Sequence, residues 1–396
     1  MIIKNAILVD YRGERKDDLF IENGIISEKC NGEVIDGRGL HVLPAFVDLH
    51  THLRSPGMTH KEDVASGTRA ALRGGYTTIN AMANTRPVCS SVEIAREVCE
   101  QAQGICDVYQ CISVTKDFDG KTVSHLDSLN GTDTYIKCIS EDGYGVADGG
   151  VVLEVLRRAD KLGKVVIIHA EDASLSAIDM YAAEDLETIR DLYLIELYCK
   201  KHGYKGLKVH FCHVSTEYSA IAIIDAKRRG LPVSFEVSPH HIALNDGVDF
   251  RVNPPLRRES DRAFLVKTIL DGNVDVIATD HAPHTVQDKL DGAPGLVGLE
   301  TAFQVCYTTL CRQNGLPLSK LSELMSYNPA KILRINKGSL DIGSAGDIVL
   351  VDLACEVTVD SSRFFSKGRN SPFDKRVYFG EVIMTVKNGE RKYDAR

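Results

Sequence analysis

The sequence predicts an α/β protein: a (β/α)8 TIM-like barrel over residues 45–336, with a small β domain formed from both termini, residues 1–44 plus 337–396. Three observations carry this expectation. Short β-branched runs alternate with helical stretches through the middle of the chain, which is the pattern of a barrel of parallel strands. Both ends hold an Asn-Gly pair between strand-like runs, the strongest short hairpin signal. No Gly-rich phosphate fingerprint follows the first β run, which weakens the alternative of a doubly wound open sheet.

The terminal elements come first. DLFIE-Asn23-Gly24-IISEK and VIMTVK-Asn388-Gly389-ERKYD read as two hairpins, and IIKNAILVD and GDIVLVDL add further β-rich pieces. Between them lie LPAFVDLH (43–50), YTTINAM (76–82), DVYQCISV (107–114), TYIKCI (134–139), VVIIHA (165–170), KVHFCHV (208–214), PVSFEVS (232–238) and VDVIATD (274–280). The intervening VVLEVLRRADKLG and TEYSAIAIIDAKRRG carry apolar residues at helical spacing and end in Gly, a usual helix stop. No low-complexity linker or short repeat interrupts the series.

Bulk properties exclude some classes of function. A net charge of -8 disfavours a phosphate-tracking nucleic-acid binder, although a few local arginines could still hold an anionic small molecule. No apolar run approaches the ~20 residues that span a bilayer, and the first residues do not read as a signal peptide. The 11 cysteines form no CxxC pair, and several (Cys106, Cys111, Cys212, Cys306) sit in apolar runs as buried thiols. A reducing cytoplasm is the expected compartment, with a small molecule as substrate and neither nucleic acid nor membrane as partner.

Barrel enzymes keep their chemistry at the carboxyl ends of the strands. Six metal-binding residue types fall there: His50 and His52 on the first β run, Asp142 after the fourth, His169 and His213 on the fifth and sixth, and Asp280 on the last. Side chains two apart on a strand point to one side, so His50 and His52 can face the barrel axis together. Such a set suits zinc, with manganese, cobalt or iron as substitutes. Six ligands exceed what one tetrahedral ion takes with a water, and two ions sharing a bridging carboxylate account for the number. His41, His60, His125, His202 and His210 lack the position or the partners and receive no role.

At this point the motifs resemble the dihydroorotases of the bacterial type I kind, within the amidohydrolase superfamily. Asp48-Leu-His50-Thr-His52-Leu-Arg54-Ser-Pro56-Gly57 is similar to their opening motif. The resemblance continues through Met82-Ala-Asn84-Thr85, Ser140-Glu-Asp142-Gly143, His169-Ala-Glu171-Asp172 and His213-Val-Ser215-Thr216. It ends with Asn253-Pro-Pro-Leu-Arg257, Ala278-Thr-Asp280-His281-Ala-Pro-His284 and Gly298-Leu-Glu300-Thr301. Ser55 stands where a glutamate is common, Ala83 where a proline is common, and the segment after His284 is short.

The resemblance implies that His50, His52 and Asp280 hold one metal, that His169 and His213 hold the other, and that Asp142 bridges them. Lys137, read at the end of the fourth β run, is the alternative bridge as a carboxylated lysine. Arg54 and Asn84 would clamp a substrate carboxylate with Asn253 and His284, next to His52, Pro294 and Gly295; a guanidinium grips a carboxylate with two hydrogen bonds. The implied reaction is the reversible cyclisation of N-carbamoyl-L-aspartate to L-dihydroorotate in pyrimidine synthesis, with Asp280 as general acid and base. The resemblance also implies a homodimer and admits an aspartate carbamoyltransferase as partner. Two rivals stand beside it: a hydantoinase- or allantoinase-like hydrolase, which needs no carboxylate clamp, and a dead barrel serving as scaffold, which would have lost ligands. Residues 285–295, rich in Gly, Asp and Lys, are expected to form a mobile lid.

Overall fold

The computed structural model describes residues 1–396. Eight parallel strands form in the expected order: β1 (Phe46–Thr51), β2 (Tyr76–Ala81), β3 (Asp107–Gln110, resumed at Ile112–Ser113), β4 (Cys138–Ser140), β5 (Val165–Ile168), β6 (Lys208–Phe211), β7 (Val233–Val237) and β8 (Val276–Ile277). Each pairs with its neighbours in sequence; the first half of β3 bonds to β2 and the second half to β4. β1 and β2 are buried along their whole length, their polar residues included, as strands of a parallel sheet covered on both faces are.

β8 is short, and polar contacts complete its join to β1. Thr51 bridges to His281 in parallel, and the His52 amide donates to the His281 carbonyl at 2.8 Å. Beneath them Asp48 accepts hydrogen bonds from Thr279 Oγ1 (2.6 Å), the Thr279 amide (3.1 Å) and the His50 amide (3.1 Å). Burial pushes the Asp48 carboxyl up to about 6 against these stabilising donors.

The connecting helices follow the sequence signals. Gly149–Leu162 is capped by Asp148, stops at Gly163 in the left-handed region (φ 68°), and buries Val152, Val155, Leu156 and Ala159 at helical spacing. Glu217–Arg228 begins on Thr216, whose side chain accepts from the Ser219 amide. No helix is long and apolar enough to cross a membrane.

Strands from the two ends of the chain share one six-stranded sheet, in the order Glu390–Asp394, Val377–Lys387, Ile348–Thr358, His41–Pro44, Ile7–Asp10, Gly13–Lys16. A four-stranded sheet of residues 2–36 packs with it around Ile3, Leu8, Leu19, Ile21, Ile348, Leu350 and Met384. Both Asn-Gly hairpins form: Asn23 (φ 51°) and Gly24 (φ 78°), and Asn388 (φ 50°) and Gly389 (φ 75°), supply the left-handed pairs that a two-residue turn needs.

The structure departs from the sequence reading in two places. TYIKCI is not a strand throughout: the Tyr135 and Ile136 amides fold back onto the Thr132 carbonyl after Gly131, and β4 starts only at Cys138. Lys137 therefore precedes the strand instead of ending it. Its ammonium lies 5.5 Å over the Tyr109 ring, at the opposite end of β4 from Asp142. Second, residues 359–376 leave the terminal sheets and pack on the barrel mouth, where Val359, Phe364 and Phe373 meet Val252, Leu296 and Val297. Residues 285–295 contain a one-turn helix, Val286–Leu290. Thr285 and Asp288 cap it reciprocally, and Lys289 Nζ donates to the carbonyls of Arg251, Ala293 and Gly295 at 2.8–3.0 Å.

Candidate metal centre and active site

All six ligand-type side chains converge at the carboxyl ends of the strands. His50 Nε2 lies 3.3 Å from Asp142 Oδ1 and 3.5 Å from Asp280 Oδ1. His52 Nε2 lies 3.2 Å from Asp280 Oδ1 and 3.6 Å from Asp142 Oδ2. On the other side of Asp142, His169 Nδ1 stands 3.4 Å and His213 Nε2 3.9 Å from Oδ1, and the two rings meet at 2.9 Å. Asp142 thus touches all four imidazoles. His213 and Asp280 have left-handed backbones (φ 29° and 48°), as does Arg54 (φ 55°). Such conformations cost non-glycine residues about 1–3 kcal/mol each, and here they turn the side chains inward.

The donor set fits a divalent cation. His50 Nε2 is buried and has no hydrogen-bond partner, although it faces two carboxylates. Its other nitrogen, Nδ1, is fixed by Glu236 Oε1 at 3.0 Å, which puts the proton on Nδ1 and leaves the Nε2 lone pair for a metal. Glu236 is itself held by His210 Nε2 at 3.0 Å, so His210 has a role the sequence reading denied it. Glu171 does the same service for His169 Nε2 at 2.8 Å. Glu236→Gln should weaken metal binding about 10- to 100-fold, because the amide competes for the imidazole tautomer. Titration with a metal-sensitive dye measures this, and unchanged affinity would remove Glu236 from the support of His50.

A cavity of about 190 Å³ opens over this cluster. His52, Arg54, Asn84, Asn253, His284, Pro294 and Gly295 all line it. Arg54 is buried and its guanidinium contacts are neutral: Nε donates to the Pro283 carbonyl at 3.3 Å and an Nη to His284 Nε2 at 3.2 Å. Burial, with Arg54 and Lys61 alongside, depresses His284 to about 3, so this ring is neutral at physiological pH. Arg54 brings a positive charge to a cavity that also holds the Asp142 and Asp280 carboxylates. Asn84 and Asn253 border it but are already engaged. Asn84 Oδ1 accepts from His52 Nδ1 (2.9 Å) while Nδ2 donates to Asp142 (3.0 Å), and Asn253 Nδ2 donates to Glu171 (2.8 Å).

Family comparison agrees with this geometry. The model of the amidohydrolase family matches residues 41–392. The chain belongs to the amidohydrolase family. Members of this family generally bind divalent metals, which accords with the two histidine–aspartate clusters at the barrel mouth. Among curated amidohydrolases, a dihydroorotase of Clostridium botulinum is 46% identical, with 99% of each chain covered. A dihydroorotase of Listeria innocua is 35% identical over 99% of this chain and 98% of its own. Solved structures with the same fold include an L-hydantoinase (dihydropyrimidinase) from Arthrobacter aurescens, TM-score 0.88 at 25% identity, covering 99% of this chain and 96% of that one. A dihydropyrimidinase from Brevibacillus agri superposes with TM-score 0.86 at 23% identity, covering 98% of this chain and 94% of that one.

Several residues of this amidohydrolase site escaped the sequence reading. Glu171, two residues past His169, carried a usable signal, since an acid at i+2 shares a strand face with the histidine. Glu236 carried a weaker one, a lone carboxylate within an otherwise apolar strand. Cys212 lies within ligand distance of His50, Asp142 and His213 but reads in sequence as a core thiol. Asn370 had no signal at all: it accepts from the His284 amide and donates to the carbonyls of Ala282 and Gly295, bracing the cavity wall from more than 70 residues away.

Proposed function

We propose that this chain is a dihydroorotase, interconverting L-dihydroorotate and N-carbamoyl-L-aspartate in pyrimidine synthesis, with two zinc ions per chain at the six-residue centre. The observation that carries the choice of substrate is Arg54. A buried guanidinium with only neutral acceptors, at the rim of a ligand cluster, is matched by the carboxylate of dihydroorotate. The neutral ring of a hydantoin leaves it unanswered. The two curated dihydroorotases, alike over their full length, support the same reading. The 11 free thiols suit a reducing cytoplasm.

In this reading His50, His52 and Asp280 would hold one ion and His169 and His213 the other, with Asp142 shared between them. Bound there, divalent cations lower the pKa of water and polarise an amide carbonyl. The protein's own groups do the rest. Arg54 and neutral His284 orient the substrate carboxylate, which fixes the ring amide over Asp280. Asp280 accepts the proton of the attacking water and delivers it to the departing ring nitrogen; in the direction of ring closure it runs the same transfer backwards. Asn84 keeps His52 and Asp142 in register during both.

Arg54→Met tests the assignment. Loss of a charge-assisted bidentate contact should cost about 2–4 kcal/mol, or roughly 30- to 1,000-fold in kcat/KM for dihydroorotate, with metal content unchanged. Turnover of a neutral ring such as dihydrouracil should hardly move. A wild-type preference for the neutral ring, or equal damage to both substrates, would replace this reading with a hydantoinase-like one.

A further inference from the structure

Beyond β8 the chain runs Thr279-Asp280-His281, and a buried carboxylate pins the last of these. Glu62 lies between β1 and the Val64–Arg73 helix and is wholly buried. Four donors converge on it. Oε1 accepts from the Ser66 hydroxyl and from the Lys367 amide at 3.1 Å. Oε2 accepts from the Ser366 hydroxyl and from His281 Nε2 at 3.3 Å. Burying a carboxylate is costly unless donors saturate it, and here three separate segments of the chain supply them. His281 in turn is held on every side. Its amide donates to Thr279 Oγ1 at 3.0 Å, and its carbonyl accepts from the His52 amide. The Gly298 amide donates to its Nδ1 at 3.2 Å, which places the ring proton on Nε2, toward Glu62. Immediately before it stands Asp280, whose left-handed backbone (φ 48°) persists only where its neighbours over-determine it.

We propose that Glu62 is a positioning residue for the proton transfer: by fixing the tautomer and tilt of His281 it keeps Asp280 in the left-handed turn that aims its carboxylate into the cavity. The inference rests on the reading of Asp280 as proton carrier. Glu62 does not line the cavity, and its hydrogen bonds reach Asp280 only through His281. The chemistry calls for a carboxylate at this place. A glutamine has one acceptor oxygen where the four donors use two. The serine hydroxyls can rotate, but the Lys367 N–H cannot, so the glutamine oxygen goes to Lys367 and its NH2 falls on the His281 side. There His281 must face it donor to donor, or move its proton to Nδ1 and lose the bond from Gly298. Either way the clamp on the residue after Asp280 is broken.

Steady-state kinetics on the metal-loaded full chain test this, with whichever of dihydroorotate and dihydrouracil the wild type turns over faster. Glu62→Gln should lower kcat about 10- to 100-fold and leave KM within about threefold, as expected of a group that orients a reacting residue. Metal titration of the apoprotein should match wild type. A cycle with Asp280→Asn separates positioning from general support. The double variant should be no slower than Asp280→Asn alone, because the group that Glu62 orients has already lost its function. Should Glu62→Gln fail to fold, His281 supplies the test. Glutamine there keeps a donor at the Nε2 position and should retain most of kcat; asparagine, which reaches only the Nδ1 position, should fall about 10- to 100-fold. Full kcat in Glu62→Gln beside a damaged Asp280→Asn overturns the inference alone. Full kcat in Asp280→Asn overturns the reading of Asp280 and the inference with it. Losses that multiply in the double variant, equal losses in the two His281 variants, or metal lost in step with kcat would make Glu62 a structural support and overturn its positioning role.

Discussion

Asp142→Ala is expected to abolish turnover, by at least 10⁴-fold, and to release metal from both halves of the centre. Asp142 is the side chain within reach of all four imidazoles, through Oδ1 to His50, His169 and His213 and through Oδ2 to His52. Without it the two histidine pairs have no common anion, and four neutral rings would face clustered cations with only Asp280 to offset the charge. Lys137→Ala should leave activity and metal content near wild type, since that ammonium sits at the far end of β4 over Tyr109. Elemental analysis after dialysis, run beside a ring-opening assay, distinguishes the two variants. Retention of both metals by Asp142→Ala would reject the bridge.

The second large effect is expected at Asp280. Asparagine at this position keeps an oxygen donor but cannot take up a proton, so Asp280→Asn should lower kcat about 10²- to 10⁴-fold while most of the metal stays bound. The left-handed backbone at Asp280 aims its carboxylate between His50 and His52, at 3.5 and 3.2 Å, and into the cavity at once. That double address would let one group serve as both ligand and proton carrier in the proposed reaction. If metal content falls in step with kcat, Asp280 is a ligand alone.

The fold was legible because it rests on periodic signals. Eight apolar runs, helix stops at Gly163 and Gly230, and two Asn-Gly pairs are local and repeat, and each corresponds to an observed element. β4 was misplaced because a turn at residues 131–136 is chemically as β-like as the strand it precedes: Tyr135 and Ile136 are good strand formers that happen to bond back to Thr132. At the site, the residues that project from strand ends were visible through their spacing. The residues that orient them were not. Glu236, His210 and Asn370 act through contacts 26 to 186 residues distant in sequence. A one-dimensional pattern carries no mark of such pairing.

The buttressing of the cavity by residues 359–376 bears on how the protein comes into being on the ribosome. Every ligand-type side chain has been synthesised by Asp280, yet the wall carrying His284 and Gly295 acquires its Asn370 brace only 90 residues later. The first strands wait even longer: His41–Pro44, which carries Ile7–Asp10 on its other edge, takes its place beside Ile348–Thr358 only after some 300 intervening residues have emerged. Closing so long a loop is slow, and contacts of this separation come late. In that interval every ligand-type histidine and aspartate is already on the emerged chain, while the Asn370 brace of the cavity wall is not. Selection of the metal can precede the appearance of a pocket able to select a substrate.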